Sequence, residues 1–277
     1  IRDSSNTVVT QIFADSLGVP ISSIELIGAD SSITPDAGKT SASRQTFVTG
    51  NAARLSALAM RDEIARHTNC KQINSLEIDG NTVIVNRGGQ DEASVVLSQL
   101  PENAEGYVIH AQESYDPPTK PMDENGQGEP YALYGYAAQM VSLDVDTRLG
   151  TVTLQRITAA HDVGRAINPQ LVEGQIHGGV AQGVGLALME EFIPGRTENL
   201  HDYLIPTIGD IPPIDTIIVE VEDPHGPFGA KGLGEHVLIP TAPALLNAIT
   251  HACGACVRDL PATPDKVLAA INAQGVK

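Results

Sequence analysis

The sequence predicts an α+β fold with mixed sheets and packed helices. Helical periodicity begins near Asn6 and returns in a long apolar stretch after Asn168, and strand-like runs stand between them. These strands do not alternate regularly with helices, as they would in a doubly wound parallel sheet. The chain has 277 residues, 42% of them hydrophobic, so it can form one large core or two smaller ones.

The first segments predict a helix, a short strand, a loop and a second helix. Apolar residues recur at helical spacing over residues 6–17, and Gly18-Val19-Pro20 ends that helix. A strand is expected at residues 23–28, followed by a polar loop. The next helix is predicted over residues 43–66, with Ser41 or Ser43 available to cap it.

The start of this second helix carries an unusual number of hydroxyl groups. Because the first backbone N–H groups of a helix have no partner within it, such an end is a natural anion site. Plain N-capping is the alternative, and it explains one serine but not the whole run, which comprises Thr40, Ser41, Ser43 and Thr46.

The middle of the chain predicts small elements joined by long connections. Residues 76–85 read as a hairpin turning at Asp79-Gly80. A short helix is expected at residues 91–100 and a strand at residues 107–112. Residues 114–130 form a loop rich in proline and glycine, and a loop of this length is typically functional or packs against another subunit.

The last part predicts strands, then a glycine-rich helix, then further elements. Strands are expected at residues 137–146 and 151–161, and Asn168-Pro169 is a strong helix start. The five glycines of this helix lower its intrinsic propensity by about 5 kcal/mol in total, so either close packing or a bound ligand must offset them. A strand at 216–222 and helices at 240–252 and 260–271 follow. We therefore divide the chain into subdomains 1–135 and 136–277.

Composition excludes several classes of function. The formal net charge of −17 opposes binding to nucleic acid or to anionic membranes. No apolar run reaches the length of a membrane span and no signal-peptide pattern is present, so a cytoplasmic location is expected. Three cysteines are too few for a disulfide framework, and the pair Cys253 and Cys256 lacks a second pair to complete a zinc site.

The motif GAKGLGE, residues 229–235, offers one carboxylate behind three glycines. Glycine has no Cβ and reaches positive φ at little cost, so this backbone can approach a bulky group closely. An ordinary loop with a solvated Glu235 is the alternative interpretation of the motif alone.

Three motifs taken together resemble the molybdenum hydroxylase family of xanthine dehydrogenases and aldehyde oxidoreductases. They are TSASRQT at 40–46, DVGRAINPQLVEGQIHGGVAQGVG at 162–185 and GAKGLGE at 229–235, in the order and approximate spacing of that family. The resemblance covers only the C-terminal part of the family's molybdenum-binding subunit. A molybdenum part made of two chains, as in nicotinate dehydrogenases, would account for this, and so would a fragment.

The resemblance implies a molybdopterin cofactor, in bacteria commonly its cytosine dinucleotide form, whose dithiolene holds the metal without a protein ligand. His161, His177, His225 and His236 therefore need no metal role. The residues implied to contact the cofactor are Ser41, Ala42, Ser43 and Thr46 near the phosphates, Gln182 near the metal or pterin, and Lys231, Gly232 and Gly234 along the cofactor.

The resemblance also implies that Glu235 is the catalytic base, which takes a proton from a metal-bound hydroxide as the hydroxide attacks the substrate carbon. For that role Glu235 should be partly desolvated, so that its pKa rises, and Lys231 would oppose the rise if it pointed the same way. One departure stands near the first helix, where the family's GQG is replaced by Arg2-Asp3-Ser4.

Electrons must pass to other chains in such an enzyme. The sequence has too few cysteines for a [2Fe-2S] cluster and no dinucleotide fingerprint for flavin, so an iron-sulfur subunit, an FAD subunit and a companion molybdopterin-binding chain are implied as partners. The expected substrate is an N-heterocyclic or purine-like small molecule. The alternatives are an aldehyde oxidoreductase subunit, a non-catalytic scaffold carrying the cofactor, and a zinc or thiol protein built on Cys253 and Cys256.

Overall fold

The computed structural model describes residues 2–28, 30–88 and 91–273, and the chain divides into two compact units. The first unit comprises Ile1–Leu133 and Asp223–Ala230, and the second comprises Tyr134–Glu222 and Lys231–Lys277. The boundary thus falls inside the GAKGLGE motif. Helices combined with one antiparallel and one mixed sheet confirm the α+β fold. The division into a molybdopterin-binding subdomain at 1–135 and a second α+β subdomain at 136–277, carrying the glycine-rich helix and the catalytic Glu235, stays a prediction.

The first unit packs two helices against a three-stranded antiparallel sheet. Helix α1 spans Arg2–Leu17, and α2 spans Gly50–His67 after a π-helical turn at Gln45–Thr49. The strands are β1 (Ser75–Asp79), β2 (Thr82–Gly88) and β3 (Asp91–Val96), in the order β1-β2-β3. The predicted hairpin is confirmed, with Gly80 at φ +56° in its turn. The core contains Leu17, Ala57, Ile64, Leu76, Val83 and Val85.

Three predicted elements of the first unit are wrong. Residues 24–28 are irregular after a 3₁₀ turn at Ile21–Ser23, and residues 107–112 are irregular as well. The helix expected at 91–100 is instead β3 followed by a short 3₁₀ turn, Leu97–Gln99. The physical reason is pairing: β3 lies against the edge of β2, with Ala93 opposite Val85, whereas the two irregular stretches pair with no strand among the described residues.

The second unit combines a mixed sheet with the remaining helices. Strands β4 (Ala137–Val145) and β5 (Val152–Asp162) are antiparallel, and β6 (Ile214–Val219) runs parallel to β5. Helix α3, Pro169–Leu188, connects β5 to β6, as a parallel pair requires. Helices α4 and α5 follow at Thr241–Cys253 and Pro264–Ala273. All these elements confirm the sequence prediction within a few residues.

The core of the second unit brings β5, α3, α4 and the end of the GAKGLGE loop together. Its buried members include Ile157, Ala159, Ile176, Val180, Val184, Leu233, Val237 and Leu245. The Asn168 side chain accepts a hydrogen bond from Leu171 N at 3.1 Å, which confirms it as the N-cap of α3. Among the described residues, no helix is both long and apolar enough to cross a bilayer.

Packing explains three of the five glycines of α3. A Cβ at Gly179 would overlap the side chain of Val237, and one at Gly183 would overlap that of Thr241. A Cβ at Gly185 would meet Glu190. Gly174 and Gly178 are different, because a Cβ at either position would meet open space among the described residues. The close approach of α3 to the segment after the motif therefore requires glycine, and the exposed face of α3 does not.

Candidate functional site

The TSASRQT stretch of the first unit enters its helix through a left-handed turn. Ala42 and Ser43 both have φ 53°, and Arg44 N donates to Ser41 O at 3.3 Å. The helical segment begins at Gln45 without a side-chain cap, so the prediction that Ser41 or Ser43 caps it is wrong. The turn engages Ser41 through its backbone carbonyl. Of the predicted contact residues here, Ser41 and Ala42 are exposed, and Ser43 and Thr46 are half-buried.

The segment leading into GAKGLGE is fastened to the start of α2 within the same unit. Asn51, which is 6% exposed, donates through Nδ2 to Phe47 O at 2.9 Å and to His225 O at 2.8 Å. A Cβ at Gly50 would lie 3.1 Å from Pro227 Cγ, so the Gly50 backbone packs closely against the Pro227 ring. Sequence reasoning missed Asn51, although an amide within the first turn of an apolar helix face was a visible signal.

Lys231 begins the second unit's part of the motif, and its side chain points inward. Its Nζ lies 2.6 Å from Asp162 Oδ2, and Lys231 N donates to Val163 O at 2.9 Å. Burial alone would raise the pKa of Asp162, but hydrogen bonds from Lys231 and from Gly164 N hold that pKa below its usual value. The Lys231 side chain is therefore committed to Asp162.

Glu235 stands between two anchored neighbours. On one side, Gly234 O accepts from Gln175 Nε2 of α3 at 3.1 Å. On the other, the His236 ring lies half-buried against Gly135. Glu235 itself is exposed, so the desolvation expected of a catalytic base is not seen in this chain alone. The Lys231 side chain is paired with Asp162 in the core.

A polar group lies in the core directly behind this loop. The imidazole rings of His161 and His236 are stacked, with centroids 5.3 Å apart. Gln139 Nε2 lies 3.2 Å from His161 Nε2 and donates to Val237 O at 2.9 Å. Burial, followed by the neighbouring His236, lowers the pKa of His161 to about 4, and burial also lowers the pKa of His236.

The predicted site residues fall into two groups. In the second unit, buried Lys231 and Gly232 and exposed Gly234 lie on the loop of Glu235, and Gln182 is exposed on α3. Gln182 shares the exposed face with Gly174 and Gly178, which precede it by two turns and one turn. The other group, Ser41, Ala42, Ser43 and Thr46, belongs to the first unit.

The part of the chain that the structure describes contains no cluster of metal-ligating side chains. No group of three or more His, Cys, Asp or Glu side chains there is arranged to hold an ion. Cys253 Sγ is engaged with Ile249 O at 3.3 Å, and Cys256 is exposed. In the second unit, sequence reasoning also missed Asp162, Gln139 and Gln175, although Asp162 and Gln175 lie within the motif at 162–185.

Comparison with known proteins gives consistent matches along the chain. Residues 3–212 match the family described as molybdopterin cofactor-binding domain. The xanthine dehydrogenase molybdenum-binding subunit of Escherichia coli O157:H7 is 33% identical over 292 residues, covering 100% of this chain and 37% of that protein. The 6-hydroxypseudooxynicotine dehydrogenase complex subunit gamma of Paenarthrobacter nicotinovorans is 31% identical, covering 94% of this chain and 34% of that protein.

Structural comparison agrees with the sequence matches. The crystal structure of the aldehyde oxidoreductase from Desulfovibrio desulfuricans superposes with a TM-score of 0.78 at 34% identity, covering 97% of this chain and 27% of that one. The chain therefore spans between about a quarter and somewhat more than a third of the length of these relatives.

Proposed function

Because this chain belongs to the molybdenum hydroxylase family of xanthine dehydrogenases and aldehyde oxidoreductases, we propose that it supplies part of a molybdopterin site and its catalytic base. The reaction proposed is hydroxylation of an N-heterocyclic or purine-like substrate with oxygen derived from water. The observation that carries the proposal is the loop 231–237, which holds one exposed carboxylate, Glu235, between two anchored neighbours.

Two surfaces of the chain suit a bulky anionic cofactor. On α3, the exposed positions Gly174 and Gly178 leave room for a flat group beside the Gln182 amide. In the first unit, the turn at Ala42 and Ser43 stands at a helix start, where backbone N–H groups favour phosphate. Molybdopterin, when bound, supplies the redox chemistry, and the protein supplies binding, orientation and electrostatics.

Glu235 acts in this proposal as the general base that takes up the proton released by the water-derived oxygen as it attacks the substrate carbon. A general base works best when its pKa is near the operating pH, and removal from water raises the pKa of a carboxyl group. Since this chain spans about a third of its relatives' length, we propose that a companion chain or segment covers Glu235 and excludes water from it. Lys231 does not oppose that shift, because Asp162 neutralises it in the core.

Further features of the proposal concern the assembly. The cofactor is proposed to be the cytosine dinucleotide form, and electrons pass to partner chains that carry [2Fe-2S] centres and FAD. The location is proposed to be cytoplasmic.

An aldehyde substrate is the second candidate, which the likeness to an aldehyde oxidoreductase favours. A non-catalytic cofactor-carrying role is the third, and Arg2-Asp3-Ser4 in place of GQG favours it.

Metal and nucleotide analysis of the protein purified with its accompanying chains tests the proposal. Molybdenum, iron and released CMP are expected together, and reduction of the bound centres by a panel of purines, N-heterocycles and aldehydes then identifies the substrate class. An intact complex that contains neither molybdenum nor CMP would leave only the fold in common with the family.

A further inference from the structure

We propose that Gln139, His161 and His236 form a positioning device that fixes Glu235 from behind, and that the device works only while His161 is neutral. The proposal rests on the proposed function, because it concerns the carboxylate assigned there. All three side chains lie in the second unit, and the contacts among them are direct.

The Gln139 amide has one possible orientation in this arrangement. Its Nε2 donates to the carbonyl oxygen of Val237, and a flipped amide would set two oxygen atoms against each other. The same nitrogen therefore faces His161 Nε2, at 3.2 Å. An amide nitrogen is a donor only, so His161 Nε2 must accept and its ring proton must lie on Nδ1.

A second proton on His161 would destroy this contact, because two N–H donors would then point at each other. The charge environment agrees with a neutral ring. The two rings act on each other, and Asp162 and Lys231 are the charged neighbours that act on His236. Asp162 and Lys231 neutralise each other, and burial disfavours charge on both rings.

The stacked rings transmit the fixed orientation of His161 to the backbone next to Glu235. His236 follows Glu235 directly, and its ring is enclosed between His161 and Gly135, where an added Cβ would lie 2.6 Å from Nδ1. Val237, the next residue, is fixed by Gln139 and by its packing against Gly179. With Gly234 held by Gln175, the backbone is fixed on both sides of Glu235.

Packing alone does not explain these polar residues. His161 is fully buried, yet its Nδ1 has no hydrogen-bond partner among the described residues, and neither has His236 Nε2 or Gln139 Oε1. Buried polar groups without partners are costly, and apolar side chains would fill the same space at lower cost. The polar contact between Gln139 and His161 therefore serves orientation, whereas His236 contributes its stacked ring.

The test compares variants in the purified complex. His236→Ala removes the stacked ring, and kcat is expected to fall on the order of 10²-fold, because a small misplacement of a catalytic group has that effect. KM and molybdenum content stay at wild-type values. His236→Phe keeps a ring in the stack and restores most of kcat. Gly135→Ala, which pushes on His236 without altering it, lowers kcat in the same way. His251→Ala, at an exposed histidine of α4, is the matched control.

Hydrogen exchange of the peptide covering residues 231–240 is the second readout, and it needs no turnover. Faster exchange there in His236→Ala and Gly135→Ala, with other peptides unchanged, supports the proposal. Wild-type kcat and exchange in His236→Ala would overturn it, as would an equal loss of kcat, molybdenum and thermal stability in the Ala and Phe variants. A wild-type complex without molybdenum contradicts the proposed function instead, and the exchange experiment still decides the positioning.

Discussion

The ammonium group of Lys231 lies 2.6 Å from a carboxylate oxygen of Asp162, and both side chains are 6% exposed. This ion pair joins the end of β5 to the first residue that the motif contributes to the second unit. It fixes the entry of the loop that ends at Glu235.

Lys231→Met is expected to lower the free energy of unfolding by about 3–5 kcal/mol, because it leaves the Asp162 carboxylate buried without its cation. Urea unfolding of the chain measures this. Asp162→Asn combined with Lys231→Met removes both charges and should recover more than half of the loss. A single variant as stable as the wild type would show that the pair is not buried in solution.

Glu235→Gln is expected to lower kcat on the order of 10²–10⁴-fold, the usual contribution of a general base, while molybdenum content is unchanged. Steady-state kinetics and metal analysis of the same preparation test the fall in kcat and the unchanged molybdenum content. Glu198→Gln, at an exposed glutamate outside the loop, is the matched control. Normal turnover of the Glu235→Gln variant would remove Glu235 from the catalytic role.

Two glycines of α3 are expected to respond in opposite ways to alanine. Gly183→Ala forces a Cβ into Thr241 and should lower the free energy of unfolding by about 1–3 kcal/mol. Gly178→Ala meets open space among the described residues and should raise it by up to about 1 kcal/mol through helix propensity.

Measuring the molybdenum content of the Gly178→Ala variant distinguishes an effect on helix stability from an effect on cofactor binding. If the exposed face of α3 lies on the cofactor, Gly178→Ala gives a protein that is more stable but binds less molybdenum. A gain in stability with full occupancy would contradict the proposed place of the cofactor on this face.

Acid should destabilise the second unit over a defined range of pH. The pKa of His161 is lowered to about 4 from the ordinary 6.5, so the unfolded chain binds more protons between these values. The contribution of neutral His161 to the free energy of unfolding is fully present above about pH 6.5, and it is lost as the pH falls toward about 4. The thermal midpoint, measured against pH, should follow this course in the wild type.

His161→Phe removes one of the two histidines whose pKa is lowered, so it should reduce the pH dependence in that range. The matched control is His251→Phe, at an exposed histidine, which should leave the wild-type curve unchanged. An identical slope in His161→Phe and the wild type would assign the acid effect to other groups.

Local chemistry made most of the fold predictable. The Asn168 cap, the Asp79-Gly80 turn and the apolar periodicities each act within a few residues, so they are visible in the sequence. The predictions failed where pairing with a neighbouring strand decides the secondary structure of a segment. Residues 91–96 became a strand because the edge of β2 was free to pair, and residues 107–112 had no such edge among the described strands.

The sequence by itself determined the order of the motifs, the glycines of α3 and the single carboxylate that ends GAKGLGE, since these are properties of residue type and spacing. Only the tertiary structure decided where side chains point. Lys231 turns inward because Asp162, 69 positions earlier, offers a buried partner, and Gln139 meets Val237 across 98 positions. Such pairings depend on the packed fold, which brings distant residues together and removes polar groups from water, so that hydrogen bonds between them replace those to water.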